Sequence, residues 1–162
     1  MSALLVSCKG DSQFSNVEAP VVAMQTYSNP NNRYSIQYPE DWGYDEGRVT
    51  FTTQRVNESG GMLSMVVVTA GTPSDLGFDT DIEDCVDNIV SEINKGFGKA
   101  KAVIFKGNDA FECIFRNEEG PYPYGIRFVV FTDEYVWDIL GVFANIDDKK
   151  IGEYIISSLE IK

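Results

Sequence analysis

The chain has 162 residues, 43% of them hydrophobic, and a formal net charge of −12 from 25 acidic and 13 basic residues. This length and hydrophobic content suit one globular domain with its own core and exclude wholesale disorder. The negative charge argues against nucleic acid as a partner, because phosphate binding depends on Lys and Arg. Anionic membrane surfaces would also repel a chain of this charge.

The start of the chain has the form of a bacterial lipobox. Residues 5–8 are an aliphatic residue, two tolerated residues and then Cys8. The pattern implies that the Cys8 thiol carries a diacylglycerol and that the preceding residues are removed. A secretory leader needs about 7–15 apolar residues after a basic start, and residues 3–6 are the only apolar stretch before Cys8. A truncated leader and a chance match therefore both stay open. We expect residues 1–20 to be a leader with a flexible tether, and residues 21–162 to form a single domain.

Two short strands follow the tether. Residues 21–27 predict the first, and residues 28–32, rich in Asn and Pro, predict a turn after it. Tyr34, Ile36 and Tyr38 alternate with polar residues, which predicts a second, half-buried strand. Pro39 lacks an amide hydrogen and ends that strand.

Two further strands are predicted at residues 49–53 and 62–69. Within the latter, residues 65–68 are apolar at every position. Side chains of a strand alternate between the two faces of its sheet, so such a run is typical of a strand that is covered above and below.

A helix is predicted next. Thr80 and Glu83 match the T-x-x-E capping box at its start. Lys95 and Gly96 indicate its end, as a cation in the last turn and a left-handed cap. One apolar stripe runs along it, made by Ile82, Val86, Ile89, Val90 and Ile93.

Four strands and a closing helix complete the chain. Turn residues at 107–108 and 133–134 join the strands in pairs, and the helix is predicted from residue 145 to about residue 158. The order of elements favours hairpins over parallel crossovers, and hence an α+β fold in which an antiparallel sheet of about six to seven strands carries helices on its faces. The four strands are predicted at residues 101–106, 110–116, 124–132 and 135–143.

The acidic residues at the start of the predicted helix match part of a calcium loop. Asp79, Asp81 and Glu83 match the first three ligand positions of a calcium loop. Asp84 stands where the loop requires glycine, and Val90 where it requires glutamate. We therefore interpret the carboxylates as partners of the helix dipole and expect no metal site.

The loop at residues 118–125 is a candidate contact surface. It carries Tyr122 and Tyr124 between two prolines and a glycine, and tyrosine is enriched where interfaces concentrate their binding energy. The alternative is a hairpin connection whose aromatic rings fold back on the sheet.

Catalytic groups are scarce in this sequence. It contains no histidine, which removes the commonest general base near neutral pH and the commonest transition-metal ligand. Cys85 and Cys113 are interpreted as small buried hydrophobic residues, and a disulfide between them is the alternative. Trp42 and Trp137 are predicted to lie in the core. No catalytic motif or cofactor site is predicted.

The order of elements, together with the strand that ends in Pro39 and is followed by Trp42, resembles the PsbP-like superfamily over residues 23–162. This superfamily includes an extrinsic photosystem II subunit, an import factor that binds the GTPase Ran, and bacterial lipoproteins of unknown role. Histidines that bind metal in some photosynthetic members have no counterpart here. The resemblance implies the fold, and function only by analogy.

The sequence thus favours a non-enzymatic, extracytoplasmic lipoprotein domain that binds another protein as an accessory subunit and reaches the membrane only through Cys8. A soluble cytoplasmic regulatory partner, like the GTPase-binding member, is the alternative. A carboxylate-based hydrolase is the third hypothesis, and it requires two acids that face each other across a cleft.

Overall fold

A computed structural model describes residues 9–162, so Cys8 and the rest of the lipobox lie outside the described residues. Among residues 9–162, no helix combines the length and the apolar character that a membrane crossing requires. The elements in chain order are β1 (Met24–Asn29), β2 (Tyr34–Pro39), β3 (Gly43–Glu46), β4 (Thr50–Val56), β5 (Met62–Gly71), α1 (Ile82–Gly96), β6 (Lys101–Phe105), β7 (Asn108–Arg116), β8 (Tyr124–Phe131), β9 (Val136–Phe143), α2 (Ile146–Ser157) and β10 (Glu160–Ile161).

The strands form two antiparallel sheets. Seven strands make a large sheet in the order β3-β4-β5-β9-β8-β7-β6, and β1, β2 and β10 make a small one in the order β1-β2-β10. The predicted α+β class with an antiparallel sheet is confirmed. β3 and β10 were not predicted, because β3 is exposed at every position and β10 has only two residues, so neither shows an alternating pattern.

Side chains on the two faces of the large sheet enter two separate cores. On one face, which we call the α2 face, residues such as Phe128 and Phe143 pack against the small sheet and Ile155 of α2. On the other, the α1 face, Val129 and its neighbours pack against α1, whose buried residues are Cys85, Val86, Ile89 and Ile93. Trp42 and Trp137 are buried in the α2-face core as predicted.

Both ends of α1 differ from the prediction. Its N-cap is Asp81, whose carboxylate accepts the Asp84 amide hydrogen at 2.9 Å, so Thr80 does not cap the helix. Gly96 is still helical, and the positive φ of 153° falls on Gly98, whose amide donates to the Ile93 carbonyl. The capping-box and glycine-cap patterns therefore located the helix correctly but misplaced its caps by one and two residues.

The segment before β1 is not free. The Ser12 amide donates to the Ile104 carbonyl at 2.8 Å, and the Ser12 hydroxyl donates to the buried Glu112 carboxylate at 2.7 Å. Phe14 is 1% exposed and belongs to the α2-face core. The expectation of a flexible tether up to residue 20 is wrong for residues 10–14, because they extend β6 at its outer edge. A single aromatic residue in a polar stretch gave no periodic signal of this packing.

Candidate interaction surface

The α1 face of β5 is only partly covered. Val66 and Val68 are fully buried on the α2 face, whereas Met65 and Val67 are partly exposed and belong to neither core. The α1 core includes residues of β7 and β8 and the first residue of β9, but none of β4 or β5. Residues 65–68 are therefore fully covered on the α2 face and only partly covered on the α1 face.

Four aliphatic side chains form a continuous patch in this partly covered region. Met65 opposes Val142, and Val67 opposes Leu140, across the β5–β9 ladder. All four are partly exposed and absent from both cores. Directly opposed side chains on one face of a sheet lie about 4.5–5.5 Å apart at their Cβ atoms, so the two pairs make one apolar surface. We call Met65, Val67, Leu140 and Val142 the open strip.

Uncharged polar side chains border the open strip on β4. Thr52 opposes Val67, and Gln54 opposes Met65, across the β4–β5 ladder. An apolar patch with a polar border is the usual anatomy of a protein contact surface.

The other border of the strip is an ion pair. Arg127 opposes Leu140 across the β8–β9 ladder, and its guanidinium donates to both carboxylate oxygens of Asp138, at 2.8 and 2.6 Å. Their side chains are 11% and 16% exposed. Burial opposes the charge of Arg127, but the hydrogen bonds and charge of Asp138, with a smaller contribution from Glu92, leave its pKa raised. The pair is therefore neutralised internally.

Aromatic rings fill the corner where α1 meets the strip. The Phe115 ring lies over Gly125, where an added Cβ would come within 2.1 Å of the ring. The centroids of the Phe97 and Phe115 rings are 4.9 Å apart. The Arg127 guanidinium lies over the Phe97 ring, 5.2 Å from its centroid. Gly125 opposes Val142 across the β8–β9 ladder, so these rings stand beside the strip.

The helix side above this corner is polar and carries charges of both signs. The charge of Glu92 contributes to the raised pKa of Arg127. Burial raises the pKa of the Cys85 thiol, and the charge of Asp138 adds to this effect. The side of α1 that carries Cys85 and Glu92 therefore faces β8 and β9. Residues separated by three, four or seven positions share a side of a helix. The exposed residues on that side are Asn88, Glu92 and Lys95.

Acidic residues outnumber their basic partners over the described residues. Within residues 9–162, eight ion pairs occupy eight of the 13 basic residues and only eight of the 25 acids. Neither Glu92 nor Lys95 is in any of these pairs.

Tyr122 and Tyr124 are both half-buried. The Tyr122 hydroxyl donates to the Met62 carbonyl at 3.5 Å, and the Tyr124 ring packs against the α2-face core beneath the Arg116 guanidinium. These positions favour the alternative interpretation of the loop, in which its aromatic rings fold back on the sheet. The loop offers less free aromatic surface than its sequence suggested.

Cys85 and Cys113 are free thiols, and both lie in the α1-face core. Burial raises the pKa of each, and Asp138 adds to the effect at Cys85. Thiols of raised pKa in apolar surroundings are poor nucleophiles. They pack as hydrophobic side chains, as the sequence indicated.

The described acidic residues do not gather into a metal site. Across residues 9–162, no three Asp, Glu or Cys side chains come together closely enough to hold a metal ion. A shallow depression of 370 Å³ near the start of α1 includes Glu83, Asp109 and Asp133 in its lining. All three are exposed, and Lys9 pairs with Asp109 at 2.7 Å. General-acid catalysis by a carboxyl group relies on burial to keep its proton, which this depression does not provide.

Comparison with known proteins identifies relatives by fold only. No family model and no curated protein matches the chain. The solution structure of the cyanobacterial PsbP protein CyanoP from Synechocystis sp. PCC 6803 aligns with a TM-score of 0.58 at 16% identity, over 91% of this chain and 98% of that one. A crystal structure from Bacteroides thetaiotaomicron VPI-5482 aligns with a TM-score of 0.53 at 16% identity, over 85% of this chain. This chain spans 48% of the Bacteroides protein. The fold is therefore PsbP-like, as the sequence resemblance implied.

Proposed function

We propose that this chain is a non-enzymatic domain that binds another protein through the open strip. The observation that supports this most is the part of the α1 face that α1 leaves only partly covered, with its two opposed aliphatic pairs. Apolar surface left in water costs roughly 25 cal/mol per Å². A partner that covers the strip recovers that free energy on binding.

The surroundings of the acids and thiols support a binding role over catalysis. The chain has no histidine, its free thiols are buried, and the carboxylates near the start of α1 are exposed. The hydrolase hypothesis needs two carboxyl groups in different surroundings, one of them protonated at neutral pH. The acids of the depression near the start of α1 are all exposed and share one environment, so that hypothesis gains no support.

We further propose that the domain is extracytoplasmic and held at the membrane by a lipid on Cys8. This rests on residues 5–8 alone. Intact-mass measurement of protein produced with its native upstream sequence in a lipoprotein-processing host tests it. We expect a diacylglycerol-sized increase that is lost in Cys8→Ser. An unmodified Cys8 and a soluble protein on fractionation would instead support the cytoplasmic regulatory alternative.

Co-purification with matched variants tests the binding role. Tagged wild-type protein and Leu140→Glu are compared with Ile114→Glu, because Ile114 is an exposed aliphatic residue, 41% exposed, on another part of the sheet. We expect a protein recovered with wild type and Ile114→Glu to be lost with Leu140→Glu. Equal recovery with all three, or no specific recovery at all, would contradict the proposal. Circular dichroism checks that Leu140→Glu is folded, and Val67→Ser serves as a milder second variant.

A further inference from the structure

The large sheet has one covered edge and one open edge. At the β6 edge, the Ile104 amide donates to the Gly10 carbonyl at 2.9 Å, and the Ser12 amide donates to the Ile104 carbonyl at 2.8 Å. At the opposite edge, β3 pairs with β4 alone, and all four of its residues are exposed. Residues 9–162 therefore cover the backbone of one edge strand and leave the other without a neighbour.

The register of β3 on β4 determines which of its backbone groups point outward. The Gly47 amide donates to the Thr50 carbonyl at 2.8 Å, so these two residues form a hydrogen-bonded pair. Hydrogen-bonded and non-hydrogen-bonded pairs alternate along an antiparallel ladder. Asp45 therefore also bonds to β4, whereas Tyr44 and Glu46 turn their amide and carbonyl groups away from it. No backbone hydrogen bond of residues 9–162 occupies these four groups.

The side chains of β3 differ between the two faces of the sheet. Tyr44 is 60% exposed, and its ring stacks against that of the buried Phe51 at 6.2 Å between centroids, so it lies on the α2 face. Asp45 opposes Thr52 on the α1 face. A strand added beside β3 therefore meets an exposed aromatic ring on one face and a carboxylate on the other.

The charges at this edge favour a basic occupant. Asp45 and Glu46 lie in β3, and Glu40 and Asp41 lie within three residues of its start. All four are exposed, and none forms an ion pair among the described residues. A second copy paired through the same edge would bring these acids against each other, and like charges opposed across strands are destabilising.

The usual devices that prevent strand pairing are missing from β3. Edge strands are commonly protected by Lys, Pro or a bulge. β3 contains neither Lys nor Pro, and its register with β4 is unbroken from Gly43 to Glu46. Its acids oppose the addition of another acidic strand but attract a basic one.

We propose that an extended, basic segment of another protein adds to the large sheet at β3. Its backbone pairs with the outward groups of Tyr44 and Glu46, and its Lys or Arg side chains lie beside the acids of this edge. In strand addition the main-chain hydrogen bonds supply affinity and the side chains supply specificity. This site is separate from the open strip and does not depend on the proposed function.

Amide hydrogen exchange followed by NMR tests the inference on the full chain. The probes are two short synthetic peptides, one that alternates Thr with Lys and one that alternates Thr with Glu. We expect the Thr–Lys peptide to slow the exchange of the Tyr44 and Glu46 amides. It should also bind at least about tenfold more tightly than the Thr–Glu peptide, because the edge repels acidic side chains.

Two substitutions at one position isolate the backbone contact. Tyr44→Ala and Tyr44→Pro both remove the ring, and only Tyr44→Pro also removes the outward amide hydrogen. Proline is tolerated in an edge strand where the amide faces solvent, and circular dichroism checks that both variants are folded. We expect Tyr44→Pro to bind the Thr–Lys peptide about threefold to tenfold more weakly than Tyr44→Ala, as expected for the loss of one hydrogen bond.

Charge-neutralising variants provide a second test that leaves the backbone intact. Asp41→Asn/Asp45→Asn removes two charges from the β3 edge, whereas Asp133→Asn/Asp147→Asn removes two exposed, unpaired charges elsewhere. We expect the first double variant to weaken Thr–Lys binding by about threefold to tenfold, and the second by less than about twofold, because exposed charge pairs each contribute little.

Several outcomes would overturn the inference. These are equal binding of the two peptides, no binding of either, protection of amides outside β3 alone, equal binding by Tyr44→Ala and Tyr44→Pro, and an equal effect of the two double variants. A homodimer in sedimentation that Tyr44→Pro abolishes would show that a second copy occupies the edge instead. The proposed function is judged separately, by whether co-purification depends on Leu140.

Discussion

Val67 and Leu140 oppose each other across β5 and β9, and α1 covers neither of them. Their chain neighbours Val66, Val68 and Ile139 are fully buried on the opposite face of the same sheet. Two adjacent strands thus carry one packed face and one open face. An aliphatic pair on the open face does little for the stability of the domain alone, which is why we assign it to binding.

Truncation of adjacent valines should separate the two faces. Val66→Ala removes buried methyl groups and leaves a cavity, so we expect it to lower the free energy of unfolding by about 2 kcal/mol. Val67→Ala removes groups that remain partly in water, and we expect a loss below about 1 kcal/mol. Urea denaturation of both variants measures the difference. Equal losses would mean that the α1 face of β5 is covered.

The docked N-terminal segment should contribute to stability. Phe14 is 1% exposed and meets the Phe128 ring edge-on at 5.6 Å between centroids. We expect Phe14→Ala to lower the free energy of unfolding by about 3 kcal/mol. Val21→Ala is the control, because Val21 is fully exposed. Equal stability of the two variants in urea denaturation would show that residues 10–14 are a free tether after all.

Breaking the ion pair at the border of the strip should be costly. Asp138→Asn leaves the Arg127 guanidinium, 11% exposed, without its carboxylate. We expect a loss of about 2–3 kcal/mol in the free energy of unfolding, since an uncompensated charge in a nearly buried site is strongly unfavourable. Glu134→Gln breaks the exposed pair with Arg33 and should cost less than about 0.5 kcal/mol. Similar thermal melting of the two variants would refute this assignment.

Stability should fall at alkaline pH through Tyr34. Burial raises the pKa of the Tyr34 phenol well above its ordinary value, and the charges of Tyr27 and Glu46 add to the effect. The unfolded chain ionises this group near pH 10, so its contribution to stability is complete below that pH and is lost as the pH rises above it.

Replacing the phenol isolates this contribution. Tyr34→Phe should reduce the slope of stability against pH by up to about 1.4 kcal/mol per pH unit above pH 10. Urea denaturation between about pH 9 and 11 measures the slope. The pKa values of Tyr27 and Tyr38 are also raised, so part of the slope should remain. An unchanged slope would place Tyr34 in contact with water.

Local patterns predicted the elements, and tertiary packing decided what they cover. The alternation at Tyr34–Pro39 and the apolar stripe of α1 located both elements almost to the residue. The apolar run at residues 65–68 correctly indicated a strand, but it could not show that α1 packs on β7 and β8 and stops short of β5. Whether a helix covers a given strand depends on side chains far away in sequence.

The candidate site was missed for the same reason. The open strip joins residues of β5 with residues of β9, more than 70 positions apart in sequence, and no local motif links them. The signal that could have found it was the apolar run on both faces of β5, combined with one helix too few to cover a seven-stranded sheet. The sequence indicated the loop of Tyr122 and Tyr124 as a candidate contact surface instead, because tyrosine is typical of interfaces and the packing of a loop is not visible in the sequence.

Site-specific photo-crosslinking tests the central claim most directly. A photoreactive residue is placed at position 67 of the open strip, and at position 114 as an exposed aliphatic control, in protein produced in its native organism. The account predicts one discrete adduct with another protein from position 67 and none from position 114, and loss of that adduct when Leu140→Glu is added. No adduct from position 67, or the same adducts from both positions, would contradict the claim that the open strip is the binding surface.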